Sequence, residues 1–144
     1  MMISKTSEPG FSVIGIEHVA VALNGSENIK FFLNILPGVS FKGTERITDQ
    51  KVDTEIFSTS RGKIELLSPV SKDSPISSFL EKRGEGIHHI ALEVDHIENT
   101  IKYLKSNGFH MIDDIPRLGA EGYKIAFVHP KSTPGLLMEF CQKR

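Results

Sequence analysis

Two rhythms of apolar and polar positions alternate along this chain. From Val13 to Leu23, Val, Ile and Ala dominate and only Gly15, Glu17 and His18 interrupt them, which predicts a strand carrying one chemically special position. Asn24 and Gly25 close it. From Ser26 to Leu36 apolar residues recur at Ile29, Phe32, Leu33 and Leu36, the stripe of an amphipathic helix, and Pro37-Gly38 ends it. Three extended stretches follow, Ser40 to Arg46, Val52 to Thr59 and Lys63 to Ser68, with Ser60-Arg61-Gly62 as a hairpin turn between the last two. The first half reads β-α-β-β-β.

The second half repeats that order. Gly86 to Val94 predicts a strand, and Asp95 with Glu98 three residues on predicts a capping-box start to a helix whose Ile97, Ile101 and Leu104 share a face. Gly108 stands where a helix C′ glycine belongs. Phe109 to Ile112, Lys124 to His129 and Leu136 to Cys141 are the expected strands, separated by loops marked by Gly119, Gly122, Pro130, Pro134 and Gly135. Between the halves, Pro69 to Glu85 is a polar linker in which Ile76 to Arg83 is expected to form a short helix that packs Phe79 and Leu80 down. Residues 1–10 read as a flexible lead, and a single domain is expected over 11–144: module one about 11–70, linker about 70–85, module two about 86–144.

The two halves also match residue by residue. Ile16-Glu17-His18-Val19-Ala20-Val21 aligns with Ile87-His88-His89-Ile90-Ala91-Leu92 at an offset of 71 (89 − 18), and the same offset pairs Glu27 with Glu98, Asn28 with Asn99 and Leu33 with Leu104. Such a register marks an internal duplication. Downstream, Lys63-Ile64-Glu65-Leu66-Leu67 echoes Leu137-Met138-Glu139-Phe140-Cys141, at an offset of 74 (139 − 65). Each half thus supplies one histidine near its start and one glutamate near its end.

His18, Glu65, His89 and Glu139 form the ligand set of a divalent metal site, and strand alternation lets all four point from one face of their sheets. A carboxylate flanked by Ile64 and Leu66, or by Met138 and Phe140, sits in sequence that otherwise reads as core, where an unpaired charge is costly. The alignment assigns the special place to His89 and turns His88 the other way. His96, His110 and His129 have no repeat partner and read as solvated. Asp53 and Glu55 lie on the second strand of the first module, open to either a surface or a pocket reading. Cys141 shares strand parity with Glu139.

Composition narrows the partners. Seventeen Lys+Arg against eighteen Asp+Glu leave a net charge of −1, so no global field favours nucleic acid or an anionic membrane. The single Cys141 excludes an intramolecular disulfide framework, and no stretch approaches the roughly 20 apolar residues of a membrane span. The polar first ten residues lack the apolar centre of a signal peptide, which is the expectation for a cytoplasmic protein, or for a mitochondrial matrix protein shorn of a transit segment.

With these residues in hand, the chain resembles the vicinal oxygen chelate superfamily and, within it, the methylmalonyl-CoA epimerases, over nearly everything from Ile14 onward. The supporting motifs are the two histidine strands, Ile64-Glu65-Leu66-Leu67-Ser68-Pro69, Asp73-Ser74-Pro75-Ile76, Leu118-Gly119-Ala120-Glu121-Gly122 and Phe127-Val128-His129-Pro130-Lys131-Ser132. The resemblance implies an α+β fold of two tandem βαβββ modules forming a cupped mixed sheet around a metal, with His18, Glu65, His89 and Glu139 as ligands of cobalt, manganese, nickel, zinc or a similar divalent ion. It implies an isomerase that inverts the α-carbon of methylmalonyl-CoA, an acyl-CoA thioester, and a homodimer. Glu139 is the expected catalytic base, with Glu55 or an ordered water as its counterpart; some family members carry a glutamate where ungapped matching places Thr54 here. Arg117, Lys124 and Lys131 are candidate contacts for CoA phosphates. A glyoxalase-I-like lactoylglutathione lyase and a two-histidine, one-carboxylate iron oxygenase are the enzyme alternatives, and a metal-free drug-sequestering protein is the non-enzyme one.

Overall fold

The structure is a computed structural model that describes residues 8–143; residues 1–7 of the expected lead lie outside the described residues. Its strands are β1 (Val13–Ala22), β2 (Ser40–Ile47), β3 (Val52–Ser58), β4 (Lys63–Pro69), β5 (Gly86–Val94), β6 (Arg117–Leu118), β7 (Lys124–Phe127) and β8 (Met138–Gln142), and its α-helices are α1 (Glu27–Asn34), α2 (Pro75–Arg83) and α3 (Ile97–Ser106). This is an α+β chain in which β-α-β-β-β occurs twice, with α2 inserted between the copies. It divides into two compact units, one contiguous (His18–His89) and one split (residues up to Glu17 together with those from Ile90).

The contiguous unit orders its strands β2-β3-β4-β1. β1 runs parallel to β4, while β2, β3 and β4 form an antiparallel meander closed at Thr59–Gly62, where the Thr59 N–H donates to the Gly62 carbonyl at 2.8 Å. Alternation sorts the strand residues onto two faces. Leu23, Phe57 and Leu66 pack with Leu33 of α1, whereas Ala20, Ala22, Val52 and Leu67 pack with Ile76 and Leu80 of α2. Helix α2 starts where Ser74, fully buried, accepts the Ile76 N–H at 3.2 Å, with Pro75 at the first helical position.

The split unit orders its strands β5-β8-β7-β6, again with the histidine-bearing strand parallel to the glutamate-bearing one. Val94, Ala126, Val128 and Phe140 pack against Ile97 and Ile101 of α3. Two local expectations fail here. The first concerns the start of α3: its N-cap is His96, whose ring Nδ1 accepts the Asn99 N–H at 3.1 Å, while the Asp95 carboxylate instead accepts the Ser12 N–H at 2.8 Å and Glu98 pairs with Lys124 at 3.2 Å. Glu98 is therefore no capping-box partner, and His96 does structural work in the turn. The C-terminus of α3 matches expectation: Gly108 takes φ 89°, and the Phe109 N–H reaches back to the Leu104 carbonyl at 3.0 Å, a Schellman ending.

The second concerns the strand expected over Phe109 to Ile112. That segment makes only an isolated bridge, Met111 to Val128, and regular pairing resumes at Arg117–Leu118 against Ile125 and Lys124. Asp113 interrupts it by accepting the Phe127 N–H through its side chain at 2.8 Å, and Pro116 has no N–H to offer a ladder.

Candidate metal centre

Register places the special residues. In parallel pairing, Ala20 lies beside Glu65 in the contiguous unit, and Ala91 lies beside Glu139 in the split unit. Each glutamate therefore sits opposite the residue two places after the histidine of its own module, so histidine and glutamate share a sheet face in both copies. Both alanines are fully buried, and their small side chains leave that face open beside the acid. His18, Glu65, His89 and Glu139 are all buried, at 4–6% exposure.

Three of them meet within the contiguous unit. His18 Nδ1 lies 3.4 Å from Glu65 Oε2, and His18 Nε2 lies 3.1 Å from His89 Nε2, with the two rings edge to face. His88 Nδ1 approaches His89 Nδ1 at 2.8 Å, while the His88 ring packs edge-on to Phe79 of α2 at 4.9 Å. Two imidazole nitrogens this close share one proton or one cation, and buried nitrogen and carboxylate donors are the borderline set that suits divalent first-row metals. The chain thus presents buried histidine and glutamate side chains able to hold a metal ion.

Glu139 belongs to the split unit, on β8 between Ala91 and Phe127. Cys141 follows it and packs with Ile125 and Phe127. Burial first, then the negative charges of Glu139, Glu17 and Glu93, push the Cys141 thiol far above its ordinary range, so it stays protonated and is no nucleophile. On the other side of this unit's chemistry, Lys143 lies 3.3 Å from Glu17 and 3.6 Å from Glu93; burial lowers its pKa, but those carboxylates outweigh it and leave the ammonium raised.

Glu55, expected as the second proton-transfer group, lies on the face of β3 that packs on α1. It shares strand parity with Phe57, and its Oε2 meets Lys30 Nζ at 2.8 Å. Burial raises the Glu55 pKa, yet the bonds from Lys30 and Ser26 outweigh it and hold the carboxyl below its ordinary value. Thr54, 2% exposed, occupies the face shared with Glu65. Among the candidate phosphate contacts, Arg117 pairs with Asp113 at 3.0 Å and Lys124 with Glu98 at 3.2 Å, while Lys131 donates its backbone N–H to His129 Nδ1.

Residues 17–127 match the model of the glyoxalase/bleomycin resistance protein/dioxygenase superfamily, and the chain belongs to that superfamily. Within it the chain is similar to methylmalonyl-CoA epimerases. The mitochondrial enzyme of Dictyostelium discoideum is 38% identical over 130 residues, covering 89% of this chain and 78% of that one. An ethylmalonyl-CoA/methylmalonyl-CoA epimerase of Cereibacter sphaeroides is 34% identical, covering 88% of this chain and 96% of that one. A methylmalonyl-CoA epimerase solved in complex with methylmalonyl-CoA and NH4+ superimposes with a TM-score of 0.84 at 29% identity, over 92% of this chain and 96% of that one.

Proposed function

We infer that this chain is an isomerase that interconverts (R)- and (S)-methylmalonyl-CoA, with His18, Glu65, His89 and Glu139 holding a divalent metal such as cobalt, manganese, nickel or zinc. The observation that carries this reading is the repeated register, a buried glutamate beside the second residue after a buried histidine in both modules. Relatives named for this reaction, at 34–38% identity, supply the substrate class.

The α-proton of the substrate lies between a thioester and a carboxylate, and removing it leaves charge mainly on the thioester oxygen. A bound divalent ion supplies Lewis acidity toward that oxygen, worth several kcal/mol. Glu139 takes the proton, as the buried carboxylate that the second module presents at the register matching Glu65. His18 stands between two of the other donors, its Nδ1 3.4 Å from Glu65 Oε2 and its Nε2 3.1 Å from His89 Nε2. The homodimer implied by the resemblance is part of this reading, and the mass in solution tests it.

The test is metal removal. The protein stripped with a chelator should lose epimerisation of methylmalonyl-CoA and regain it with cobalt or manganese, whereas full turnover of a rigorously metal-free preparation refutes the reading.

A further inference from the structure

Neighbours on a strand ordinarily send their side chains to opposite faces, yet the rings of His88 and His89 turn toward one another until their Nδ1 atoms stand 2.8 Å apart. An approach that close between two imidazoles needs a proton on one nitrogen and a lone pair on the other. His89 brings its second ring nitrogen, Nε2, to 3.1 Å from His18 Nε2. Its two nitrogens thus meet different partners, Nε2 on the side of the other donors and Nδ1 on the side of His88. All of these residues lie within the contiguous unit.

The linker holds His88 in place. Helix α2, begun at Ser74 and seated by Ile76 and Leu80, sets Phe79 edge-on to the His88 ring at 4.9 Å. Gly84 then takes φ 77°, a conformation open to glycine, and leads the chain from α2 into β5. Next to it, the Glu85 carboxylate accepts the Asn24 N–H at 2.8 Å, which ties this turn to the end of β1. Phe79 and His88 therefore flank one anchored turn. The first module has no such arrangement: the offset of 71 sets Glu17 at the place of His88, and the Glu17 carboxylate lies 3.3 Å from Lys143. The imidazole at 88 belongs to one module alone, beside the one helix that the duplication does not repeat.

We propose that His88 is the positioning residue of the metal ligand His89, its Nδ1 accepting the Nδ1–H of His89. This rests on the metal reading given above. A histidine that ligates through Nε2 carries its ring proton on Nδ1, and a fixed acceptor for that proton settles both the tautomer and the tilt of the ring. A proton shared between the two Nε2 atoms competes with the ion for the same lone pairs. Drawing the His89 proton to Nδ1 removes that competitor from His89. His88, accepting through Nδ1, carries its own proton on Nε2. The ring at 88 thus has two duties, packing on α2 through Phe79 and accepting from His89, and substitution can separate them.

The experiment compares His88→Phe, which keeps an aromatic ring against Phe79 but removes the acceptor, with His88→Asn, which gives up the ring but sets an amide oxygen near the place of Nδ1. Zinc affinity is measured on the full chain by competition with a chromogenic chelator. His88→Phe should bind zinc about 10–100-fold more weakly than the parent, and His88→Asn should recover most of that loss. A role in packing alone gives the reverse order, with the Phe variant near the parent and the Asn variant the weaker. That order, or parent affinity in His88→Phe, overturns the proposal. A second readout uses the zinc-loaded parent, isotope-labelled at its histidine nitrogens. A scalar coupling between the Nδ1 nuclei of His88 and His89, with the His88 proton on Nε2, is expected. Absence of that coupling, or a His88 ring protonated at Nδ1, overturns the proposal, and this readout decides alone should either variant fail to fold. A parent protein that binds no zinc refutes the metal reading itself and is told apart because no variant is needed to see it.

Discussion

The two modules keep their inner strands alike and let their outer strands part. Next to each histidine strand lies a parallel glutamate strand at matching register, Ala20 beside Glu65 and Ala91 beside Glu139. Away from that pair, β2 forms seven paired positions with β3, whereas its counterpart β6 forms two with β7 and leaves Met111 as a lone bridge. In the function proposed above, Glu65 and Glu139 stand at matching register as metal donors, yet only Glu139 also transfers a proton. The outer strands differ in structure: β2 is continuous, whereas the corresponding stretch of the second module is interrupted at Asp113 and Pro116.

That asymmetry is tested first at the paired glutamates. Glu139→Gln keeps an oxygen that can still hold the metal weakly but loses the base, so turnover should fall by about 10²–10⁴ even at saturating metal. Glu65→Gln, the same change at the matching register, should keep much of its turnover once metal is supplied in excess. Turnover of methylmalonyl-CoA under metal saturation checks both, and equal losses would show that the two positions are interchangeable.

A smaller effect separates the packing of the two helix-bearing faces. Phe57 is fully buried between β3 and α1, whereas Phe140, which packs against α3, retains 8% exposure. Phe57→Ala should cost about 3–5 kcal/mol, and Phe140→Ala the lower part of that range. Urea midpoints measured on both variants at constant slope decide the order.

The smallest effect concerns Glu55, whose partner Lys30 has no equivalent in the second module, since Glu27-Asn28 aligns with Glu98-Asn99 but Lys30 aligns with Ile101. A carboxyl held below its ordinary 4.5 in the folded state stabilises the fold above that pH, and the contribution disappears as pH falls through the depressed folded value. Glu55→Gln should therefore lower stability by about 1 kcal/mol or less at pH 7 and flatten the loss of stability below pH 4.5. Thermal melts between pH 3 and 7 give the comparison; an unchanged acid limb would mean that the pair contributes nothing.

Much of this arrangement was legible along the chain because it is written in local periodicity. The paired β-α-β-β-β order, the short helix after Pro75, the turn at Ser60-Arg61-Gly62 and the helix stop at Gly108 each follow from residues within a few places of one another. What escaped depends on partners that periodicity does not name. An imidazole caps α3 at His96 only because Asp95 is drawn to the Ser12 N–H, 83 residues away. The strand expected over Phe109 to Ile112 fails because Asp113 takes a ladder N–H with its side chain. Which face Asp53 and Glu55 take, against Arg46 and Lys30, becomes visible only once β2, β3 and β4 are in register.

The division of the chain also bears on the order in which it is made. His18–His89 is one uninterrupted stretch, and all of its internal contacts become available once residue 89 has emerged from the ribosome. The other unit draws on residues up to Glu17 and on those from Ile90, so the opening of β1 is made well before its partners and Ser12 must wait for Asp95. Val13, Ile14 and Ile16, which stay exposed in the folded chain, form a β-prone run of the kind that other nascent chains can capture during that interval.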